Sequence, residues 1–190
     1  MKIFGVDHRP WPASLCVLAL ASGAALVVLM MINQYLITPD APQGIISYQL
    51  AGDAESAKQI RRAWGSGGQL WAHLSLYLDF LFVALYLTFL LKLSNHLLLD
   101  RPGVREQQMG SVAKWLFIIG GSSDVAENVF LLIAIARPEA EDHWAIAAVV
   151  ATLLKLTGLL LGAAALLIVR AARRHPLNSE NAVTQDSERR

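Results

Sequence analysis

Four long runs of apolar residues, set apart by short polar stretches, organise this chain. They cover residues 13–37, 72–93, 111–136 and 143–169. Each is long enough for a helix to cross a hydrocarbon core of about 30 Å, which takes roughly 20 residues. The pattern predicts an all-α fold, a four-helix transmembrane bundle over residues 1–174, with an outer amphipathic capping segment and a polar, disordered cytoplasmic tail over 175–190.

The ends of the runs carry their own chemistry. A tryptophan stands near the start of each one, Trp11, Trp71, Trp115 and Trp144, and an indole favours the headgroup level. Pro12 opens the first helix, with Ser14 in its first turn, and Pro39 prevents its continuation. Arg101-Pro102-Gly103 breaks the chain after the second run and Pro138 after the third, while Glu141 and Asp142 precede the fourth at a positive helix N-terminus. Lys2 and Arg9 ahead of the first run imitate a signal peptide. The run exceeds the roughly 7 to 15 residues of such a segment, and Asn33 to Pro39 offers no small-x-small cleavage site, so a retained span is expected.

The loop over 38–71 is long for a bundle connection and has a pattern of its own. Asp53 fits an N-cap, with Glu55 in the first turn, Arg61 and Arg62 in the last, and Gly65 as the stop. Ala57, Ile60 and Trp64 share one side of this short amphipathic helix. Ile46, Tyr48 and Leu50 alternate as in an extended segment, and Ser66-Gly67-Gly68 reads as a hinge. Two readings stand: a cap packed across the helix ends, or a lid over a ligand entrance.

Composition narrows the class. With 55% hydrophobic and 16% charged residues, the 190-residue chain is too apolar for a soluble domain. The bilayer is its expected partner. The net charge of +1 says nothing of orientation, which follows basic residues near the helix ends. Lys2, Arg9, Lys92, Arg101, Arg105, Lys114, Arg170, Arg173 and Arg174 fall on one side, and Lys58, Arg61, Arg62 and Arg137 on the other. Both termini are expected in the cytoplasm and the chain in the cytoplasmic (inner) membrane. Cys16 is the single cysteine, which excludes an internal disulfide and a thiolate metal cluster. There is no nucleophile elbow, phosphate loop or nucleic-acid patch, and the basic C-terminal cluster fits topology and anionic lipid. No cofactor and no nucleic-acid partner are expected.

Four ionisable residues interrupt the apolar runs: Asp79, Asp124, Glu127 and Lys155. Each costs about 2.5 to 3.5 kcal/mol at bilayer depth unless paired or neutralised. At about 1.5 Å per residue they lie roughly 10 to 18 Å below the outer surface, in one layer. Asp124, Glu127 and Asn128 share a helix face through i, i+3 and i+4 spacing, and Lys155 is the natural partner of Asp124, with Asp79 or Glu127 within reach. A pair at 4 Å gains about 4 kcal/mol at an effective dielectric of 20. Ser75, Tyr86 and Thr152 are candidates to line the layer. Asn33 and Gln34 either join it or reach water. With three carboxyls facing one ammonium, a carboxyl is protonated, or a cation or cationic ligand is present.

Gly120 and Gly121, and Gly158-x-x-x-Gly162, allow close helix approach, within the bundle or between copies. His73 and His143 near the outer surface are the weak metal candidates, with no spacing that defines a site.

The stretch 44–52, followed by Ala57, Ile60, Trp64, 78–82 and Tyr86, then Asp124-Val125-Ala126-Glu127-Asn128 and Lys155, resembles a group of bacterial four-span integral membrane proteins without an assigned activity. The resemblance implies the fold and a common polar site. Members often have an acidic residue where this chain has Gln49, so a carboxylate role in the cap is not carried over.

The leading functional expectation is a site for a small or lipid-like ligand opening toward the outer leaflet, with Asp79 and Glu127 nearest the entrance. A proton- or cation-coupled translocator and a structural or accessory subunit are the alternatives. Against all three stands plain interhelical bonding; catalysis has no motif behind it and is left open.

Overall fold

The computed structural model describes residues 11–99, 103–137 and 142–171. The expectations for Lys2, Arg9, Arg101, Pro102, Pro138, Glu141, Arg173, Arg174 and the tail 175–190 lie outside the described residues. The fold is all-α: α1 (Ala13–Asn33), α2 (Ile45–Gln49), α3 (Ala54–Leu98), α4 (Val104–Ala136) and α5 (Asp142–Ala171), with a 3-10 turn at Gln34–Leu36. Four helices, all but α2, are long and apolar enough to cross a membrane. Large apolar side chains stay exposed on their outer faces, such as Leu20, Met30, Leu81, Ile119, Leu160 and Leu167. In a soluble protein this would be an aggregating surface; in a bilayer it meets lipid.

The helices do not enclose a common axis equally. α4 is central, packed along its length on α5 and on α3, and α1 leans on α3 with no extended contact to α4 or α5 among the described residues. Small residues set this order. A Cβ at Gly158 would stand 2.8 Å from the carbonyl oxygen of Leu116, and one at Gly120 would stand 3.2 Å from that of Lys155. The glycine pairs therefore serve packing within the bundle, which brings α4 and α5 to backbone contact.

Two apolar clusters fill the interior. One, at the end carrying the 38–71 loop, gathers Leu36, Tyr48, Ile60, Trp64, Leu76, Leu131, Ile135 and Ala148. The other, toward the opposite end, gathers Ala113, Phe117, Ala165 and Leu166 with Leu87, Leu90 and Leu159 against them. The 38–71 loop is thus a packed cap across the helix ends.

The cap is tied down by side chains aimed at backbone. The Trp64 indole donates to the carbonyl of Leu36 at 2.7 Å. Arg61 is buried and donates to the carbonyls of Ala134 and Ile135 at 3.0 and 3.3 Å, placing a cation on the negative end of α4. Asp53 accepts from the Ser56 amide at 2.8 Å as the expected N-cap, and these bonds hold its carboxyl below the usual carboxylate range. Asp142, in the first turn of α5, accepts from the Ala54 amide at 2.8 Å and joins the cap to the last span. Burial pushes the Tyr48 hydroxyl up to about 12, with Arg61 pulling the other way.

The structure corrects two expectations in the loop. Residues 45–49 form a helix and not an extended segment. Asn33 supplies the reason: its Oδ1 accepts from the Ile45 amide at 2.8 Å and its Nδ2 donates to the Gln43 carbonyl, so a residue 12 positions away caps α2. Asn33 is accordingly engaged with the loop, not the polar layer. Ser66, Gly67 and Gly68 are helical, not a hinge. Gly65 alone takes the bend, at φ 59° and ψ −167°, and Gln69 donates across it to the carbonyl of Arg61.

Arg61→Ala is expected to loosen the cap and lower stability by about 2 kcal/mol, as for loss of charge-assisted hydrogen bonds, read from denaturant unfolding in micelles. Gly158→Ala is expected to cost about 1 to 3 kcal/mol by forcing α4 and α5 apart, read the same way; an unchanged midpoint would refute the close-contact account.

Candidate functional site

Between the two apolar clusters lies one polar layer, built from three helices. On α4, Asp124 and Asn128 are one turn apart with Glu127 beside them, and all three are buried, Glu127 and Asn128 with 0% exposure. Asp124 is the hub. Its Oδ2 accepts from the Tyr86 hydroxyl of α3 at 2.8 Å, and its Oδ1 accepts from Lys155 of α5 at 2.9 Å. Lys155 Nζ also lies 2.6 Å from Glu127 Oε2. On the α3 side, Asn128 Nδ2 donates to Asp79 Oδ2 at 2.6 Å.

The five residues expected to meet, Asp79, Asp124, Glu127, Asn128 and Lys155, are therefore brought together, and Tyr86 joins them as a donor. Lys155 divides itself between Asp124 and Glu127, and Asp79 takes Asn128 instead. Ser75 is buried about one turn from Asp79. Thr152 is buried beside Glu127, but its hydroxyl hydrogen goes to the carbonyl of Ala148 at 2.9 Å. One hydroxyl carries one hydrogen, so Thr152 has none left for Glu127.

Three buried acceptors in the layer lack a hydrogen-bond donor, Glu127 Oε1, Glu127 Oε2 and Asn128 Oδ1, and of these only Oε2 has a cation beside it, Lys155 at 2.6 Å. A buried polar atom left without a partner costs about 1 to 3 kcal/mol. Such atoms are few in native proteins and call for a specific cause.

The entrance expected above Asp79 and Glu127 is filled by Leu76, Leu131, Ala148 and the rest of the capped-end cluster. An opening exists at the side instead. A cavity of about 420 Å³ lies between α4 and α5, lined by Ser123, Ala126, Phe130, His143, Ile146, Ala147, Val150, Ala151 and Leu154. It begins at His143 near the capped end and runs down to Ser123 and Leu154. Glu127 and Lys155 do not line it; of its lining residues, Ser123 stands one helical turn from Glu127 and Ala151 one turn from Lys155.

The two histidines each have a local contact. His73 Nδ1 lies 2.8 Å from the Gln69 carbonyl of its own helix, and His143 packs on Trp144 with ring centroids 4.7 Å apart. Among the described residues no group of three His, Cys, Asp or Glu could hold a metal.

Arg61, expected in the last turn of the cap helix, has a structural role that its place in that turn alone does not give. Its spacing held the signal: Ala57, Arg61 and Trp64 stand at i, i+4 and i+7, so the arginine lies on the face that the cap buries.

No family model, curated protein or solved structure matches this chain.

Lys155→Met is expected to destabilise by about 3 to 5 kcal/mol, since it strands Asp124 and Glu127 without their cation. The Asp124→Asn/Lys155→Met pair should cost less than the sum of the single changes; strict additivity in unfolding measurements would show that the two do not interact.

Proposed function

We propose that this chain is a multi-pass membrane protein that binds a small or lipid-like ligand from the bilayer, at the side cavity between α4 and α5 and the polar layer behind it. The observation that carries this reading is the position of the cavity. It opens on the outer surface of two helices apolar enough to cross a membrane, is almost wholly apolar along its walls, and includes Ser123 and Ala151, each one helical turn from a member of the Glu127–Lys155 pair. Pockets for amphipathic molecules combine an apolar trough with a few convergent polar groups. The trough runs about 16 Å along α5 from His143 to Leu154 at 1.5 Å per residue. That is about half of a hydrocarbon core near 30 Å, the depth of one leaflet.

The apolar clusters on both sides of the layer weigh against a continuous path for ions through the molecule. They favour a side-entered binding site over the translocator. The basic residues at the helix ends support the cytoplasmic membrane with both termini inside and the cap outside.

Native mass spectrometry of protein extracted in lipid nanodiscs tests the reading. The wild type is expected to retain a discrete bound mass, and Ala147→Trp, which fills the trough, to lose it while keeping its helical content. A wild type that emerges bare from several extractions would refute the proposal. Cysteine labelling at Ser56 and Ser179, in a Cys16→Ser background, is expected to report opposite sides of the membrane.

A further inference from the structure

Charge and hydrogen-bond counting in the polar layer converge on a single arrangement. Asp124 has a donor on each oxygen, Tyr86 on one and Lys155 on the other. It needs nothing more. Glu127 Oε1, Glu127 Oε2 and Asn128 Oδ1 have no hydrogen-bond donor, although both side chains are fully buried, and of the three only Oε2 has the Lys155 ammonium beside it. Thr152 stands beside the Glu127 carboxyl and its hydroxyl donates to the Ala148 carbonyl at 2.9 Å, so its oxygen is free to accept a hydrogen carried by that carboxyl on the oxygen away from Lys155. Glu127 Oε2 would stay against the ammonium of Lys155. A hydrogen on Asp79 Oδ1 could be donated to Asn128 Oδ1, closing an acid–amide ring whose other bond, Asn128 Nδ2 to Asp79 Oδ2, is already made at 2.6 Å.

We propose that the layer holds two resident protons, one on Asp79 and one on Glu127, and that Asp124 is the carboxylate paired with Lys155. The two acceptors with neither a donor nor a cation beside them, Glu127 Oε1 and Asn128 Oδ1, are then satisfied, and three carboxyls and one ammonium sum to zero charge. Neutrality and hydrogen bonding are met by the same two hydrogens.

The groups that face these protons come from every helix packed on the layer. Asp79 faces Asp124 and Asn128 of α4 and Lys155 of α5, with Tyr86 further along its own helix. Glu127 faces Lys155 and Thr152 of α5 and Asp124 of its own helix. The only ionisable side chain of α1 is Cys16, which is exposed. The proposal does not depend on what fills the side cavity. It has a chemical consequence: a cationic group entering the layer would displace a proton, so its binding would acidify the medium.

Infrared difference spectroscopy of the full chain in lipid nanodiscs, near neutral pH, tests this directly. Protonated carboxyls have a carbonyl stretch separate from those of carboxylates and amides, and it shifts in heavy water. The wild type is expected to show two such bands, with Asp79→Asn and Glu127→Gln each removing one and Asp124→Asn removing neither. Absence of these bands, or their loss in Asp124→Asn alone, would overturn the assignment. A protonated-carboxyl signal that grows when sodium is exchanged for choline would also overturn it, by showing that a metal cation stands where the protons are placed. Thermal unfolding gives an independent arm should a variant yield little protein. Asp79→Asn and Glu127→Gln mimic the neutral forms and are expected to hold the midpoint within about 3 °C, while Asp124→Asn lowers it by about 10 °C. Equal losses in all three would count against the proposal.

Discussion

The contact between Asp124 and Lys155 is the constraint around which the membrane part of this fold is arranged. In hydrocarbon no water can solvate a lone carboxylate or ammonium, so the helices carrying them must stay together or bear the cost. Asp124 accepts from α3 and from α5 at once, through Tyr86 and Lys155. One carboxyl on the central helix therefore fastens both of its neighbours. The lipid-facing surfaces contribute little to this choice, since leucine against leucine is worth no more than leucine against an acyl chain.

Glycine spacing makes that contact reachable. α4 and α5 run side by side, with Gly120 against the backbone of Lys155 and Gly158 against that of Leu116. Side chains on a helix lean toward its N-terminus, which for α5 is the capped end. Lys155 therefore extends from the level of Gly120 toward Asp124 and Glu127, one to two turns nearer the cap. A wider helix separation would leave its ammonium short of either carboxyl. The same close approach leaves α1 outside the polar system. It is secured differently, by packing on α3 and by Asn33 and the Leu36 carbonyl, which tie its end to the cap.

The spans and the shared depth of the acidic residues were legible because both follow from one-dimensional quantities, run length and residue count along a straight helix. The Asp53 cap was legible too, being purely local. Partner choice was not. Asp79, Asp124 and Glu127 lie within about two turns in depth, and only the rotation of each helix about its axis decides which of them meets Lys155. The α2 helix was hidden for a related reason: its N-terminal donor is satisfied by Asn33, from another element, against a local pattern that alternates like a strand. Arg61 was a failure of inference rather than of information. It sits on the same face as Ala57 and Trp64, and an arginine on a buried face at the end of a helix calls for carbonyl partners, which the last turn of α4 supplies.

Burial on both flanks of the layer bears on how any molecule could reach it. The capped-end cluster closes the direct route from that side, and the Phe117 cluster closes the route from the other. Beside the layer runs the trough between α4 and α5, whose wall includes Ala126 and Ala151. Alanine is the smallest wall an L-residue other than glycine can offer. Glu127 and Lys155 meet between α4 and α5, while Asp79 on α3 is held to α4 through Asn128. The layer thus divides into a half held to α5 through Lys155 and a half held to α3 through Tyr86 and Asp79. Asp124 belongs to both, because it alone holds partners on each side.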